Sequence, residues 1–269
     1  MDMPEHCIDP EHFKRYPHTV TYQFNSRGFR DDEWPRDLGQ AVWCLGDSFT
    51  VGFGSPREHT WPWILAQQLG QRTVNISMDG ASNDWISRRG RQVIQAVDPA
   101  LLVVQWSYTH RRELPVRDEI DQRWRPFYRD IRDTAWPDCD SFQFFNQLPT
   151  EIQQEIQGDP YWPTVITQDD HSRRLDNPGR EAILNDELNT ENFFDNVLAL
   201  ESAKNRTKIV HTFIPEFSSD SKRMHELLTQ HMPGLWIPEI AKLDRARDGH
   251  HYDILTATQL VKDIINIIS

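Results

Sequence analysis

The sequence holds only three cysteines in 269 residues, Cys7, Cys44 and Cys139, and they form no C-x-x-C or other metal-ligand spacing. That excludes a disulfide framework, and the odd count predicts a reducing compartment or at most one incidental bridge. No run approaches the roughly 18–20 apolar residues of a membrane span. The opening Met1-Asp2-Met3-Pro4-Glu5-His6 carries acid where a secretory leader carries base, and no apolar run follows it. Together these absences predict a soluble, cytoplasmic protein with no membrane partner. Base is scarce as well: 29 Lys and Arg against 41 Asp and Glu give a net charge of −12. Nucleic-acid binding normally leaves a basic footprint, so no nucleic-acid partner is expected. The cluster Arg88, Arg89, Arg91, Arg111 and Arg112 still leaves room for one local basic pocket. Internal repeats and low-complexity tracts are missing too.

What is present is an alternation of short apolar runs and amphipathic stretches. Ala41-Val42-Trp43-Cys44-Leu45 ends sharply at Gly46-Asp47-Ser48, as a buried strand would. Trp61 to Leu69 has helical spacing and stops at Gly70, a residue suited to the left-handed position past a helix end. Thr73 to Ile76 reads as a strand, Asp84 to Val97 as a helix ended by Pro99, and Leu101 to Trp106 as a strand. After residue 188 the rhythm resumes with a helix near Thr190 to Asn205, a strand from Lys208 to Ile214 and a helix from about Asp253 to Ile268. Strands alternating with helices of this length predict βαβ units and a parallel sheet covered on both faces. The expectation is one α/β domain over 1–269, with an irregular leader up to about residue 40. A polar, Pro-punctuated insertion or lid fills about 113–188, with some helix at Glu151 to Ile156.

Two motifs carry chemistry. Gly46-Asp47-Ser48-Phe49-Thr50 follows the first strand, and open parallel sheets bind ligands beyond the carboxyl ends of their strands. Ser48 would therefore sit where a substrate can reach it; the plainer reading is a tight turn whose Ser or Asp caps the next helix. Asp248-Gly249-His250-His251 precedes the last helix. A serine hydroxyl needs a base to take its proton, and a neutral imidazole needs a carboxylate to fix its tautomer. Asp248 and His251, three apart on one turn, can meet that need locally. A polar turn or a histidine metal pair are the competing readings, and a zinc site would need further ligands at recognisable spacing. No metal and no cofactor are expected.

Together these motifs resemble the SGNH (GDSL-like) serine hydrolase family. Gly46-Asp47-Ser48 resembles its first block and Asp248-x-x-His251 its last, 203 residues on. The resemblance implies a three-layer α/β/α sandwich with a mainly parallel sheet, Ser48 as nucleophile, His251 as base and Asp248 as its orienter. It also implies Gly80 as the second-block glycine whose N–H, with that of Ser48, holds the oxyanion. Asn25-Ser26-Arg27-Gly28-Phe29-Arg30 is similar to a stretch that precedes the nucleophile strand in some members. The third block departs from the pattern: Gly-x-Asn-Asp is usual, but Ser107-Tyr108-Thr109-His110 stands there, with Thr109 where the Asn donor belongs. Thr109 or Ser107 could donate instead, or Asn83 could reach across. Because α/β-hydrolases place their serine in G-x-S-x-G with the acid far from the histidine, they are the poorer match.

The activity implied is hydrolysis of an ester or acyl group, with a small-molecule or carbohydrate ester as partner. An acyltransferase using the same residues, and a catalytically weak scaffold for carbohydrate binding or assembly, remain as alternatives. Trp124, Trp136 and Trp162 could stack on a sugar or form a small core of the insertion. Arg111-Arg112-Glu113 could clamp an anionic substrate or form a salt-bridged turn. His110 could face the site, His171 reads as surface, and His250 has no assigned role.

Overall fold

The computed structural model describes residues 9–109, 112–113, 165–166, 186–215, 234–237 and 240–269. Its elements in chain order begin with α1 (Pro10–Arg15), β1 (Val42–Leu45), α2 (Ser48–Val51), α3 (Trp61–Leu69), β2 (Thr73–Asn75), α4 (Asn83–Val97) and β3 (Leu101–Trp106). There follow β4 (Arg112–Glu113), β5 (Val165–Ile166), α5 (Asp186–Ala203), β6 (Lys208–Phe213), β7 (Leu235–Trp236) and α6 (Ile254–Ile268). Five strands form one sheet in the order β2-β1-β3-β6-β7, and every pair is parallel.

Alternation along the strands sorts the core into two layers. Trp43 and Leu45 of β1, Leu102, Val104 and Trp106 of β3 and Ile209 of β6 face one side. There they pack with Trp85, Ile86, Val93 and Ile94 of α4 and Phe193, Val197 and Leu200 of α5. Val42, Cys44, Leu101, Val103 and Val210 face the other, against Trp61 and Leu65 of α3 and Leu260, Val261 and Ile264 of α6. Successive side chains of a strand point to opposite faces, so near-continuous apolar strands require helices on both. The fold is therefore an α/β/α sandwich on a parallel sheet, as expected. Burial also pushes the Cys44 thiol well above its ordinary range, which leaves it an inert core residue.

The chain starts the sheet in its interior with β1, steps outward to β2, then crosses back to β3. Such a change of direction in a parallel sheet marks the place, beyond the carboxyl ends of β1 and β3, where open α/β sheets bind their ligands. Helices α3, α4 and α6 end or begin within about two residues of the positions expected from sequence. The leader differs from a wholly irregular segment in holding α1. Asp9 caps it by accepting from the backbone N–H groups of Glu11 and His12, and six residues are too few to show periodicity. Strands β4 and β5 pair antiparallel apart from the main sheet. Cys7, Cys139, His110, Arg111, Trp124, Trp136, Trp162, His171 and the helix expected at Glu151 to Ile156 lie outside the described residues. Among the described residues no helix is long and apolar enough to cross a membrane.

Candidate active site

The turn that carries Ser48 is built by its neighbours. Gly46 follows β1, and a Cβ there would lie 2.2 Å from Thr50 Oγ1 and 3.0 Å from the Gln105 carbonyl oxygen, so only glycine fits. Asp47 caps α2, accepting from the Phe49 N–H at 3.0 Å with one carboxylate oxygen, while the other accepts from the Ser107 hydroxyl at 2.7 Å. Gly52 ends the helix in the left-handed conformation, φ 79°. This one-turn element sets Ser48 at its first position. The Ser48 backbone N–H has no intrahelical acceptor there, and no acceptor for it is present among the described residues.

On the facing loop, Asp248 to His251 folds as a tight turn. Asp248 accepts from the backbone N–H groups of His250 and His251 with Oδ1, at 2.9 and 3.0 Å, and contacts His251 Nδ1 with Oδ2 at 2.6 Å. His251 Nε2 lies 2.9 Å from Ser48 Oγ. A carboxylate can only accept, so Nδ1 carries the proton and Nε2 offers its lone pair to the serine hydroxyl. Burial alone would raise the Asp248 pKa. The bond from His251 and the two backbone N–H groups outweigh it, leaving the carboxyl below its ordinary range. Asp248 thus stays ionised as the pH falls to the ordinary carboxylate range. Phe49 and Phe53 wall the imidazole, with ring centroids 4.5 and 6.1 Å away. Such a wall excludes water and strengthens the polar contacts beside it.

The architecture is a three-layer α/β/α sandwich on a parallel sheet. It rests on the strand order and on the two loops that meet over it. No family model and no curated protein matches the chain. Solved structures to which its fold is similar include TesA, at 12% identity and a TM-score of 0.46 over 86% of this chain and 98% of that one. A GDSL-like lipase from Bacteroides thetaiotaomicron gives 11% and 0.42, over 87% and 90%. The acetyl xylan esterase Est2A from Butyrivibrio proteoclasticus gives 12% and 0.44, over 87% and 64%.

Around Ser48 and His251 the remaining candidates fall in distinct places. Gly80 adopts φ 65° in the loop after β2, and a Cβ there would meet nothing within 4 Å, so backbone conformation and not space selects glycine. Asn83 is fully engaged: its amide donates to the carbonyls of Ser107 and Tyr108 at 3.2 and 3.1 Å, and its oxygen accepts from the Ser107 N–H at 2.9 Å. It shapes the loop after β3 and has no amide proton left for a substrate. The Ser107 hydroxyl is turned to Asp47. Thr109, half-buried, carries a hydroxyl with no hydrogen bond among the described residues. His250 stacks edge-on against His251 at 5.0 Å and contributes its backbone N–H to Asp248.

Sequence reasoning gave the leader no part in the site, yet it braces both loops from behind. The Arg30 guanidinium donates to the carbonyls of Val51 at 3.1 Å and Ser55 at 2.8 Å, and to that of Gly52. Asp31 accepts from the Asn75 N–H at 3.1 Å, and the Asn75 side chain donates to the Thr50 carbonyl at 3.2 Å. His12 Nε2 donates to the Ala246 carbonyl at 2.8 Å, and the Arg247 guanidinium lies 4.1 Å from the Phe13 ring centroid. The available signal lies in Asn25 to Arg30, a stretch similar to one in family members but with no mechanism written in its residues. A separate cleft of about 380 Å³ opens between the leader, α3 and β2. Of its three arginines, Arg57 pairs with Asp32 at 2.6 Å, Arg72 pairs with Asp31 at 2.9 Å and Arg30 donates to backbone carbonyls; its lining includes neither Ser48 nor His251.

Proposed function

We propose that the protein is a serine hydrolase that cleaves an ester or acyl group through an acyl-enzyme. The single observation that carries this reading is the unbroken hydrogen-bonded line Ser48–His251–Asp248, at 2.9 and 2.6 Å, at the carboxyl ends of the central strands. Ser48 Oγ attacks the acyl carbonyl carbon while His251 Nε2 takes the hydroxyl proton. The carbonyl π pair moves onto oxygen, and the N–H groups of Ser48 and Gly80 with the Thr109 hydroxyl receive that negative charge. Collapse breaks the ester C–O bond, and the imidazolium returns its proton to the departing alkoxide. Water then repeats the sequence on the acyl-serine and releases the carboxylic acid. Asp248 stays ionised throughout and stabilises the imidazolium. Each proton and electron pair in this sequence is handled by the side chains and backbone groups named.

The test is hydrolysis of a short-chain aryl ester under pre-steady-state conditions. The expected result is a burst of the aryl alcohol followed by slower steady turnover, the sign of an accumulating acyl-enzyme. Folded protein with no turnover would contradict the reading. The same assay tests the third donor. Thr109→Val keeps the shape and removes the hydroxyl, so kcat should fall with KM little changed, as for an interaction made mainly in the transition state. Removing a single well-placed oxyanion donor typically costs about 10²–10³ in kcat. A threonine hydroxyl that acts through a bridging water is less pre-organised, and the loss should stay under about 10². An unaltered kcat would remove Thr109 from the mechanism.

A further inference from the structure

Strand β3 reads Leu-Leu-Val-Val-Gln-Trp, and Gln105 is the polar residue in that otherwise apolar, wholly buried run. Its amide lies on the face shared with α3 and α6, where an unmet polar group would be costly. It is met at both ends. Thr50 Oγ1 accepts from Trp61 Nε1 at 3.2 Å and donates to Gln105 Oε1 at 2.8 Å. This fixes the amide's orientation, because the threonine proton must find an acceptor. The Tyr252 hydroxyl lies across the amide, accepting from Gln105 Nε2 at 3.1 Å and within 3.2 Å of Oε1 as a donor. Thr50 and Tyr252 are themselves buried, at 0% and 4% exposure, so no water competes for these groups. Burial also pushes the Tyr252 phenol well above its ordinary range, against the opposing effect of the Gln105 bond, so it stays a neutral partner.

Thr50 lies two residues after the nucleophile, on the same single turn of helix. Tyr252 is the residue directly after the base. We infer that Gln105 is a positioning residue that sets the Ser48–His251 separation, by tying the nucleophile helix and the histidine loop to one amide on the central strand. It touches no reacting atom. The inference rests on the hydrolase reading above and adds to it a group that neither motif contains. Its physical content is geometric: the 2.9 Å contact between Ser48 and His251 joins residues 203 apart, and a near neighbour of each, Thr50 and Tyr252, bonds the same Gln105 amide. Loss of the amide removes the tie that runs through the sheet and leaves the spacing to the direct contacts between the loops, the Arg247 N–H to the Gly54 carbonyl and the Ser55 hydroxyl to Asp253 Oδ1, each at 2.9 Å. A misplacement of about 1 Å in a reacting pair costs about 10²-fold in rate.

The test uses Gln105→Met, which fills similar space without hydrogen bonds, with Thr50→Val and Tyr252→Phe as near-isosteric removals of each end. Ester turnover, fluorophosphonate labelling rate and melting temperature are measured on the full chain, with kinetics taken well below the transition. Gln105→Met should lower kcat and the labelling rate together by about 10–100-fold, with KM near that of the wild type. Thr50→Val and Tyr252→Phe should each lower kcat less, and adding either to Gln105→Met should cost little more, since the bridge is already gone. A merely structural role would lower the melting temperature and leave kcat intact, and that result overturns the inference. Should Gln105→Met fail to fold, the two end variants decide: a double variant no worse in kcat than the worse single supports the bridge, and additive or absent losses overturn it. Wild-type protein without turnover overturns the hydrolase reading and the inference with it; active wild type with unaffected variants overturns the inference alone.

Discussion

His251→Ala should abolish nearly all ester turnover, a loss of about 10⁵–10⁶ in kcat by analogy with removal of the base in serine hydrolases. Asp248→Asn should cost less, about 10⁴, for a reason visible in its contacts. Asp248 Oδ1 accepts two backbone N–H groups, so the carbonyl oxygen of an asparagine takes that place and its NH₂ falls where Oδ2 stood. The amide then faces His251 Nδ1 at the 2.6 Å position as a donor. Nδ1 must become the acceptor and Nε2 must carry the proton, which leaves nothing to accept from Ser48. Nucleophile and oxyanion donors survive, so a residue of catalysis survives with them. His250→Ala should keep most activity, because its bond to Asp248 and the one it receives from Lys242 run through the backbone. Steady-state kinetics on the three variants check the order. If His250→Ala were the most damaging, the base would be His250 and the line from Ser48 to Asp248 would be wrong.

Gly46→Ala is expected to disable the site without touching a reacting group. The added methyl would meet Thr50 Oγ1 at 2.2 Å, Thr50 Cβ at 2.9 Å and the Gln105 carbonyl at 3.0 Å. These atoms belong to a one-turn helix and a central strand, neither of which can yield cheaply. The threonine hydroxyl would be driven off the Gln105 amide, and Ser48 would move with its helix. Overpacking of this kind costs about 1–3 kcal/mol, and the lost hydrogen bonds add to it. At about 2–4 °C per kcal/mol for a chain of roughly this size, a combined cost of about 3 kcal/mol should lower the melting temperature by about 6–12 °C. Turnover measured below the transition should drop about 10²-fold or more, from misplacement of the nucleophile. Thermal melts and ester kinetics on the same preparation check both. Unchanged values in both would show that the turn tolerates a side chain and that packing around Gly46 does not hold it.

What could be read from sequence follows from how local each signal is. Leu101 to Trp106 announces a buried strand because its period is written in six adjacent residues, and the structure places β3 there residue for residue. The Asp248–His251 contact spans three residues, so one turn contains its whole geometry. Ser48 and His251 were joined only by resemblance, since nothing within either motif specifies a contact across 203 residues. Asn83 looked like a spare donor because Asn-Asp is a familiar pair. Its commitment to the Ser107 and Tyr108 backbone depends on the crossover that brings α4 back beside β3. Gln105 was legible as a polar interruption in an apolar strand, but its partners lie 55 positions before it and 147 after. Arg30 and Asp31 were hidden for the same reason: a residue that braces carbonyl groups leaves no pattern around the carbonyls it braces. The short β7 and the six-residue α1 escaped because two or six residues carry too little period.

The most direct measurement of the central claim is covalent labelling by a fluorophosphonate probe, read by intact mass and by peptide mapping. The reagent needs a serine oxygen activated by a base and an anion-binding site for the phosphoryl oxygen, which are the two properties assigned to Ser48 and its surroundings. Wild-type protein should gain one adduct, located on Ser48. Ser48→Ala should gain none, and His251→Ala should label far more slowly while keeping the serine. Folded wild-type protein that remains unlabelled, or an adduct that persists in Ser48→Ala, would contradict the account.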